Sequence, residues 1–371
     1  MALAFPVDIP RTRSMEQKRT TIFSSQINCT SAIFLTSSLL YLVSQHLLLE
    51  QRPPHRFPPI DQPLPDSILF LEAIRASAIS GNHSSCNRRL KADTPKVAFL
   101  FLTNSDLAFS PLWYRFLRPA NRSLYNVYVH ADPTVPVNVP PFDAIKARFI
   151  PARRTRRGSS SLIAAERRLI ARAIIDDPLN HYFALISQHC IPIHSFSFVY
   201  NFLFPHKQTA QLPKSFIEII SNDPNLPDRY TSRGESSMLP EVPFHKFRVG
   251  SQFFLLAKRH AIVVLRDRKL WRKFKLPCLN VDSCYPEEHY FPTLLSMEDP
   301  NGCSGFTLTN VNWTSSVGGH PYQYQPYEIT ADLIHRLRRS NSSVSFLFAR
   351  KFAPDCLQPL MEIADDVVFR D

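Results

Sequence analysis

Glycine is scarce: 8 residues in 371, against 32 prolines. That excludes a glycine-rich repeat and a flexible linker protein. Disorder is excluded as well, because 44% of the chain is hydrophobic and only 20% is charged. No internal repeat is present. There is no Cys-x-x-Cys and no paired Cys/His spacing, so a structural zinc site has no ligand set. Asp-x-Asp is also missing. Its nearest substitutes, Asp176-Asp177 and Asp365-Asp366, are adjacent residues whose side chains diverge. The paired carboxylates that commonly hold Mg²⁺ or Mn²⁺ beside a phosphate are therefore not evident. Acidic residues are the minority, 31 Asp+Glu to 43 Lys+Arg, for a formal net charge of +12. Such a balance favours anionic partners: nucleic acid, anionic lipid, phosphate esters or a nucleotide diphosphate.

Charge is absent altogether from Thr20 to Leu49. The stretch is long enough for the roughly 20 apolar residues of a membrane-spanning helix. Arg11, Arg13, Lys18 and Arg19 precede it, and only Arg52 and Arg56 follow closely. The positive-inside bias puts the N-terminus in the cytosol and the rest across the membrane. No small-x-small cleavage site follows, so the segment reads as an uncleaved anchor rather than a signal peptide. Pro53, Pro54, Pro58, Pro59, Pro63 and Pro65 then predict a stiff, extended spacer. The expected organisation is a cytosolic tail over 1–21, an anchor over 22–49, a proline-rich stem over 50–94 and one large domain over 95–371.

The seven cysteines suit an oxidising lumen. Cys29 falls in the anchor. Cys86, Cys190, Cys278, Cys284, Cys303 and Cys356 allow up to three bridges, with 15 pairings. Glycosylation sequons occur at Asn82, Asn121, Asn312 and Asn341.

Within the large domain, Val97 to Leu102 is a continuous apolar run, as expected of a parallel strand buried on both faces. Tyr125 to His130, Tyr182 to Ile186 and Phe253 to Leu256 are further strand candidates. A helix is predicted from an N-cap at Ser161 to Asp176-Asp177-Pro178, with Leu162, Leu169, Ile170, Ala173 and Ile174 on one face. Strand–helix alternation predicts an α/β fold whose ligands sit at the carboxyl ends of the strands. The polar residues there are Thr103, Asn104, His130, Asp132, Ser187 and Gln188.

Two segments carry the sharpest chemistry. Tyr285-Pro286-Glu287-Glu288-His289-Tyr290 places two carboxylates and an imidazole among aromatics, a setting for a general base; it also fits a solvated acidic pair at a helix N-terminus. Phe348-Ala349-Arg350-Lys351-Phe352 places two cations in an apolar frame, where burial calls for an anionic partner. Two basic runs, Arg153-Arg154 with Arg156-Arg157 and Arg266 to Lys275, read as solvated faces or surfaces for an acidic glycan or membrane. A lumenal address argues against nucleic acid.

Taken in order, these motifs resemble the plant branch of the core-2/I-branching β-1,6-N-acetylglucosaminyltransferases, glycosyltransferase family 14. The matching segments are KVAFLFLT (96–103), YVHADP (128–133), AERRLIARAIIDDP (165–178), ALISQHCIPI (184–193), SFSFVYNFL (195–203), VGSQFF (249–254), PEEHYFPTLL (286–295), VNWT (311–314) and LFARKFAPDC (347–356). The resemblance implies a GT-A-like lumenal domain, a Rossmann-like mixed sheet flanked by helices, behind an N-terminal transmembrane helix. It implies a Golgi type II membrane enzyme that transfers GlcNAc, GlcA or Xyl from a UDP-sugar to a glycan or glycoprotein, with inversion and without a metal or other cofactor. A homodimer is compatible with it.

By resemblance, Glu288 matches the general base. Lys351 matches the diphosphate contact, with Arg350 beside it. Asp132 looks like the aspartate of the nucleotide pocket, which Thr103, His130 and Ser187 would share. Gly250-Ser251-Gln252 resembles an acceptor-side wall, with Glu287 and His289 nearby. Glu288 would take the proton of an acceptor hydroxyl, its pKa raised by burial and by Glu287. There are two departures. The family arginine that works with the lysine is missing from Phe306 to Asn310, which leaves Arg350, Arg336, Arg338 or Arg339 to replace it. Arg157-Gly158 stands where many relatives carry tryptophan before the glycine. The missing arginine also fits a second reading, a non-catalytic glycan-binding or partner protein that retains the fold. A glycosidase is excluded, because adjacent carboxylates cannot flank a sugar across the required ~5 Å or more.

Overall fold

The computed structural model describes residues 64–82, 94–137, 146–205, 212–316, 318–342 and 344–371. The expected tail and anchor, the start of the stem, Cys29 and Cys86 lie outside these residues. Among the described residues, no helix is long and apolar enough to cross a membrane.

The strands are β1 (Lys96–Thr103), β2 (Tyr125–Ala131), β3 (Arg148–Phe149), β4 (Asn180–Ser187), β5 (Ile191–Pro192), β6 (Ser215–Glu218), β7 (Leu255–Ala257), β8 (Cys303–Gly305), β9 (Thr309–Val311) and β10 (Phe348–Arg350). The helices are α1 (Asp66–Asn82), α2 (Ser110–Leu117), α3 (Ser160–Asp176), α4 (Phe196–Leu203), α5 (Leu226–Thr231), α6 (Lys258–Arg266), α7 (Lys269–Phe274), α8 (Val281–Cys284), α9 (Tyr290–Glu298), α10 (Ala331–Arg338) and α11 (Leu357–Glu362).

A seven-stranded mixed sheet runs in the order β3-β2-β1-β4-β7-β6-β8. β1 pairs in parallel with β2 on one side and with β4 on the other, so it is central. Its residues Val97 to Thr103 are all buried, which explains the unbroken apolar run. β7 is antiparallel to β4 and β6 is antiparallel to β7. β7, the strand expected over Phe253 to Leu256, begins at Leu255, two residues later than expected, while Phe253 and Phe254 precede it as buried residues.

A second, three-stranded sheet has the order β5-β10-β9. An aromatic cluster ties it to the first. The Trp113 ring lies 5.8 Å from Phe99, 5.4 Å from Phe116 and 5.8 Å from Phe348 of β10. Its indole N–H donates to the Cys190 carbonyl at 3.0 Å, so the one polar atom of this side chain is satisfied. The end of β10, which carries Arg350 and Lys351, is thereby fixed against the main core.

The extended spacer expected over 50–94 needs correction. Asp66–Asn82 is the helix α1, seated on α3 and α6. The prolines stop at Pro65, and Asp66 opens the first turn. Leu69, Phe70 and Ala73 are buried. Asp66 accepts two bonds from Arg168, at 2.7 and 2.9 Å, and the Arg167 guanidinium lies 4.6 Å from the Phe70 ring centre. The polar side of α3 is thus covered by α1. This explains how Arg167 and Arg168 come to be buried within an otherwise amphipathic helix; Glu166, buried beside them, is bonded to Gln252 instead. The cap of α3 is Ser159, whose hydroxyl accepts from Ser161 N–H at 3.3 Å, two residues before the expected cap.

Candidate active site

The chain leaves β1 for β2 on one side and later returns to β4 on the other. Strand order therefore reverses between β1 and β4, where an α/β sheet opens a crevice at its carboxyl edge. Leu102 of β1 faces Ser187 of β4 in register. Thr103 and Ser187 lie at the edge of a cleft of about 650 Å³. Glu218 and Gly250 to Phe253 form one wall. Tyr285, Glu287 and Glu288 also line the cleft, as do Arg157, Arg229, Trp313, His320, Arg350 and Lys351.

Glu288 arrives on a short, constrained turn. α8 ends at Cys284, which is bridged to Cys278 six residues earlier. Tyr285 is left-handed, with φ of 31°, and a single 3-10 turn from Pro286 to Glu288 follows. Gly250 N–H donates to the Glu288 carbonyl at 2.9 Å. Gly250 is required here: a Cβ would stand 2.0 Å from the Glu218 carbonyl oxygen. The segment from Gly250 to Gln252 and the acidic turn are therefore joined backbone to backbone.

The two glutamates differ in environment. The burial expected for Glu288 falls on Glu287, which is 3% exposed. Burial pushes the Glu287 carboxyl up to about 7, with the Glu288 charge adding and the Gly158 N–H bond at 2.8 Å opposing. Its other oxygen has no hydrogen-bond partner. Glu166 is buried behind it, raised well above its usual range by desolvation, and accepts from the Gln252 amide at 2.6 Å. Glu288 is half-buried and ion-paired with Arg229 at 2.7 Å. His289 is fully buried, stacked 4.6 Å from Phe247, and bonded through Nδ1 to the Arg248 carbonyl at 2.8 Å. Burial brings it down to about 3, so the ring is neutral. It cannot touch an acceptor from there, and it reaches Glu288 only through Arg229, 3.4 Å from its Nε2.

Two further cations, Arg350 and Lys351, line the same cleft. The Arg350 guanidinium lies 4.4 Å from the Phe253 ring centre, and burial lowers its proton affinity. Lys351 is lowered by burial and by the charges of Arg350 and Arg157. Among the other candidates for the missing arginine, Arg338 is spent on the carbonyls of Ile193, Val367, Val368 and Arg370. Arg336 lines a separate hollow, and Arg339 is exposed outside the cleft.

Two expected nucleotide contacts do not line the cleft. His130 is fully buried and its Nε2 accepts from Arg153 N–H at 3.2 Å. Asp132 is 3% exposed, and both its oxygens are occupied by Thr134 and Thr155. Burial opposes its ionisation, but these hydrogen bonds outweigh it and hold the carboxyl down at about 2. Asp132 shapes the cleft edge rather than facing into it.

Among the described cysteines, Cys278 and Cys284 form one bridge, and Cys190, Cys303 and Cys356 are buried free thiols. Of the sequons, Asn121 and Asn341 are exposed. Asn312 is half-buried, its side-chain oxygen held by Thr314. Asn82 ends α1. Among the described residues, no three His, Cys, Asp or Glu side chains gather as a metal ion would need.

The sequence reading missed two cleft arginines. Arg157 and Arg229 flank the Tyr285 ring, at 5.5 and 5.3 Å from its centre. Arg157 was concealed in a basic run that looked solvated, and Arg229 stands in a stretch with no motif.

Comparison with known proteins agrees with this geometry. The Core-2/I-branching enzyme family matches residues 97–338. The rice (Oryza sativa subsp. japonica) protein described as glycosyltransferase BC10 is 25% identical over 309 residues, covering 69% of this chain and 73% of the relative. A mixed sheet with its cleft at the strand switch, an acidic turn and a cationic strand end lining that one cleft, and a family match over most of the chain lead to one conclusion: the chain belongs to the Core-2/I-branching enzymes and is a glycosyltransferase.

Proposed function

We propose that this glycosyltransferase is a Golgi type II membrane protein that moves GlcNAc, GlcA or Xyl from a UDP-sugar to a hydroxyl of a glycan or glycoprotein, with inversion and without a metal ion. The observation that carries the reading is that Glu288, Arg350 and Lys351 line one cleft at the switch between β1 and β4. The uncharged stretch from Thr20 to Leu49, with basic residues before it, supports the membrane topology.

The chemistry follows from the charges. An acceptor hydroxyl beside Glu288 gives its proton to the carboxylate as its oxygen attacks the anomeric carbon. The bond from that carbon to the UDP oxygen breaks on the opposite face, so the configuration inverts. UDP departs carrying the bonding electrons, and its diphosphate needs positive charge nearby. One unit-charge pair at about 4 Å is worth roughly 4 kcal/mol at an effective dielectric of 20. Lys351 and Arg350 supply fixed cations that need no reorganisation when the bond breaks. Arg229 holds Glu288 in place at 2.7 Å.

The test is UDP release by the purified protein, offered each UDP-sugar with a mixed glycan acceptor, with and without EDTA. The expected result is acceptor-dependent release from one donor, unchanged by the chelator. Activity abolished by EDTA and restored by Mn²⁺ would refute the metal-free part; no release from any donor would refute the transfer reaction.

A further inference from the structure

Arg157 is exposed to solvent, yet it is held in place at the cleft. Its loop is pinned at both ends by buried carboxylates. Thr155 donates to Asp132 from its backbone at 2.7 Å and from its hydroxyl at 2.8 Å. Gly158, at φ of 69°, donates its N–H to Glu287 at 2.8 Å. The guanidinium itself is held on three sides. Its centre lies 5.5 Å from that of the Tyr285 ring, Nη2 donates to the Gly319 carbonyl at 2.5 Å, and Nη1 meets His320 Nε2 at 2.8 Å.

All of this presents a positive charge to the cleft that also holds Arg350 and Lys351. Neither Arg157 nor Lys351 has a carboxylate within 4.0 Å among the described residues; the ion pair in the cleft is that of Arg229 with Glu288. The cations instead oppose one another: after burial, the charges of Arg350 and Arg157 lower Lys351, and that of Arg157 helps to lower Arg350. Like charges gathered in one cleft, two of them without a carboxylate in contact, are relieved by a multivalent anion. Ordering the long side chain beforehand lowers the entropy lost when that anion binds.

We infer that Arg157 is a diphosphate-binding residue of this enzyme, closing on the leaving group together with Lys351, while Arg350 acts from beneath, against Phe253. The residue thus makes good the arginine missing from Phe306 to Asn310, from a different part of the chain. Asp132 and Glu287 acquire a role as positioning residues, because they fix the two ends of the loop that presents Arg157. This inference depends on the UDP-sugar reaction proposed above, and the following experiment separates the two.

Binding of UDP and of uridine to the full-length protein is measured by calorimetry for wild type, Arg157→Gln, Arg157→Lys and Lys351→Gln. Uridine reports on the nucleoside pocket and the fold; the UDP-to-uridine affinity ratio reports on the diphosphate. Arg157→Gln is expected to weaken UDP about tenfold or more while leaving uridine unchanged, as loss of a charge-assisted contact would. Arg157→Lys should recover part of that loss. An unchanged ratio in Arg157→Gln, with the ratio collapsed in Lys351→Gln, would overturn the role of Arg157 and leave the reaction standing. Equal loss of uridine and UDP would show Arg157 to be a support for the loop, which also overturns it. A wild type that does not prefer UDP to uridine would overturn both readings.

Discussion

At the scale of single residues, adjacent glutamates have been given different tasks by their surroundings. Glu288 lines the cleft half-buried and has a cation beside it; Glu287, on the same cleft, is almost wholly buried with one oxygen unpartnered. Residue type and order were enough to mark the pair, because two carboxylates next to an imidazole are uncommon. Which of the two is buried depends on the left-handed Tyr285 and the turn after it, and that was not legible. Burial of Glu287 has a measurable consequence. Its carboxyl is pushed up to about 7 in the fold, against 4.5 for a free side chain. The folded state therefore holds this proton over a pH range in which the unfolded chain has released it. Its neutral form costs nothing below about pH 4, and the cost of ionising it grows as pH rises to about 7, reaching about 3 kcal/mol. Glu287→Gln keeps the oxygen that accepts from Gly158 but cannot ionise. Urea unfolding at pH 4 and pH 8 should show the variant gaining up to that amount over wild type at the higher pH. An equal difference at both pH values would contradict the assignment.

At the scale of elements, the apolar runs told most of the story. β1, β2 and β4 are legible because strands buried on both faces leave no room for polar alternation. α1 was hidden by the prolines ahead of it, and its apolar residues only acquire meaning once α3 is seen to need a cover for Arg167 and Arg168. The join between β6 and the segment after Val249 was equally invisible, because it depends on backbone contact rather than on side-chain pattern. There Gly250 lies so close to Glu218 that any Cβ collides with the backbone. Gly250→Ala should force the two apart, destabilise the protein by about 1–3 kcal/mol and displace the Glu288 carbonyl bonded to Gly250. Thermal unfolding and turnover measured together check this; a variant with wild-type stability and rate would show that the join has slack.

At the scale of the whole molecule, the fold class and the position of the cleft followed from strand order, since ligands of such sheets collect where that order reverses. The acidic turn and the cationic end of β10 were both visible as motifs. What sequence could not supply was the set of residues drawn together from distant parts of the chain: Arg157, Arg229 and His320 meet around Tyr285 and the cleft only after folding. The two arginines add to the positive charge of Arg350 and Lys351 in that cleft, in keeping with a chain whose net charge is +12.

The central claim is that one carboxylate removes the acceptor proton while cations receive the departing diphosphate. Replacing Glu288 with Gln preserves size and removes the base. Turnover and UDP affinity measured on the same Glu288→Gln preparation should show transfer reduced at least about 100-fold with UDP binding retained; near-normal transfer would contradict the account.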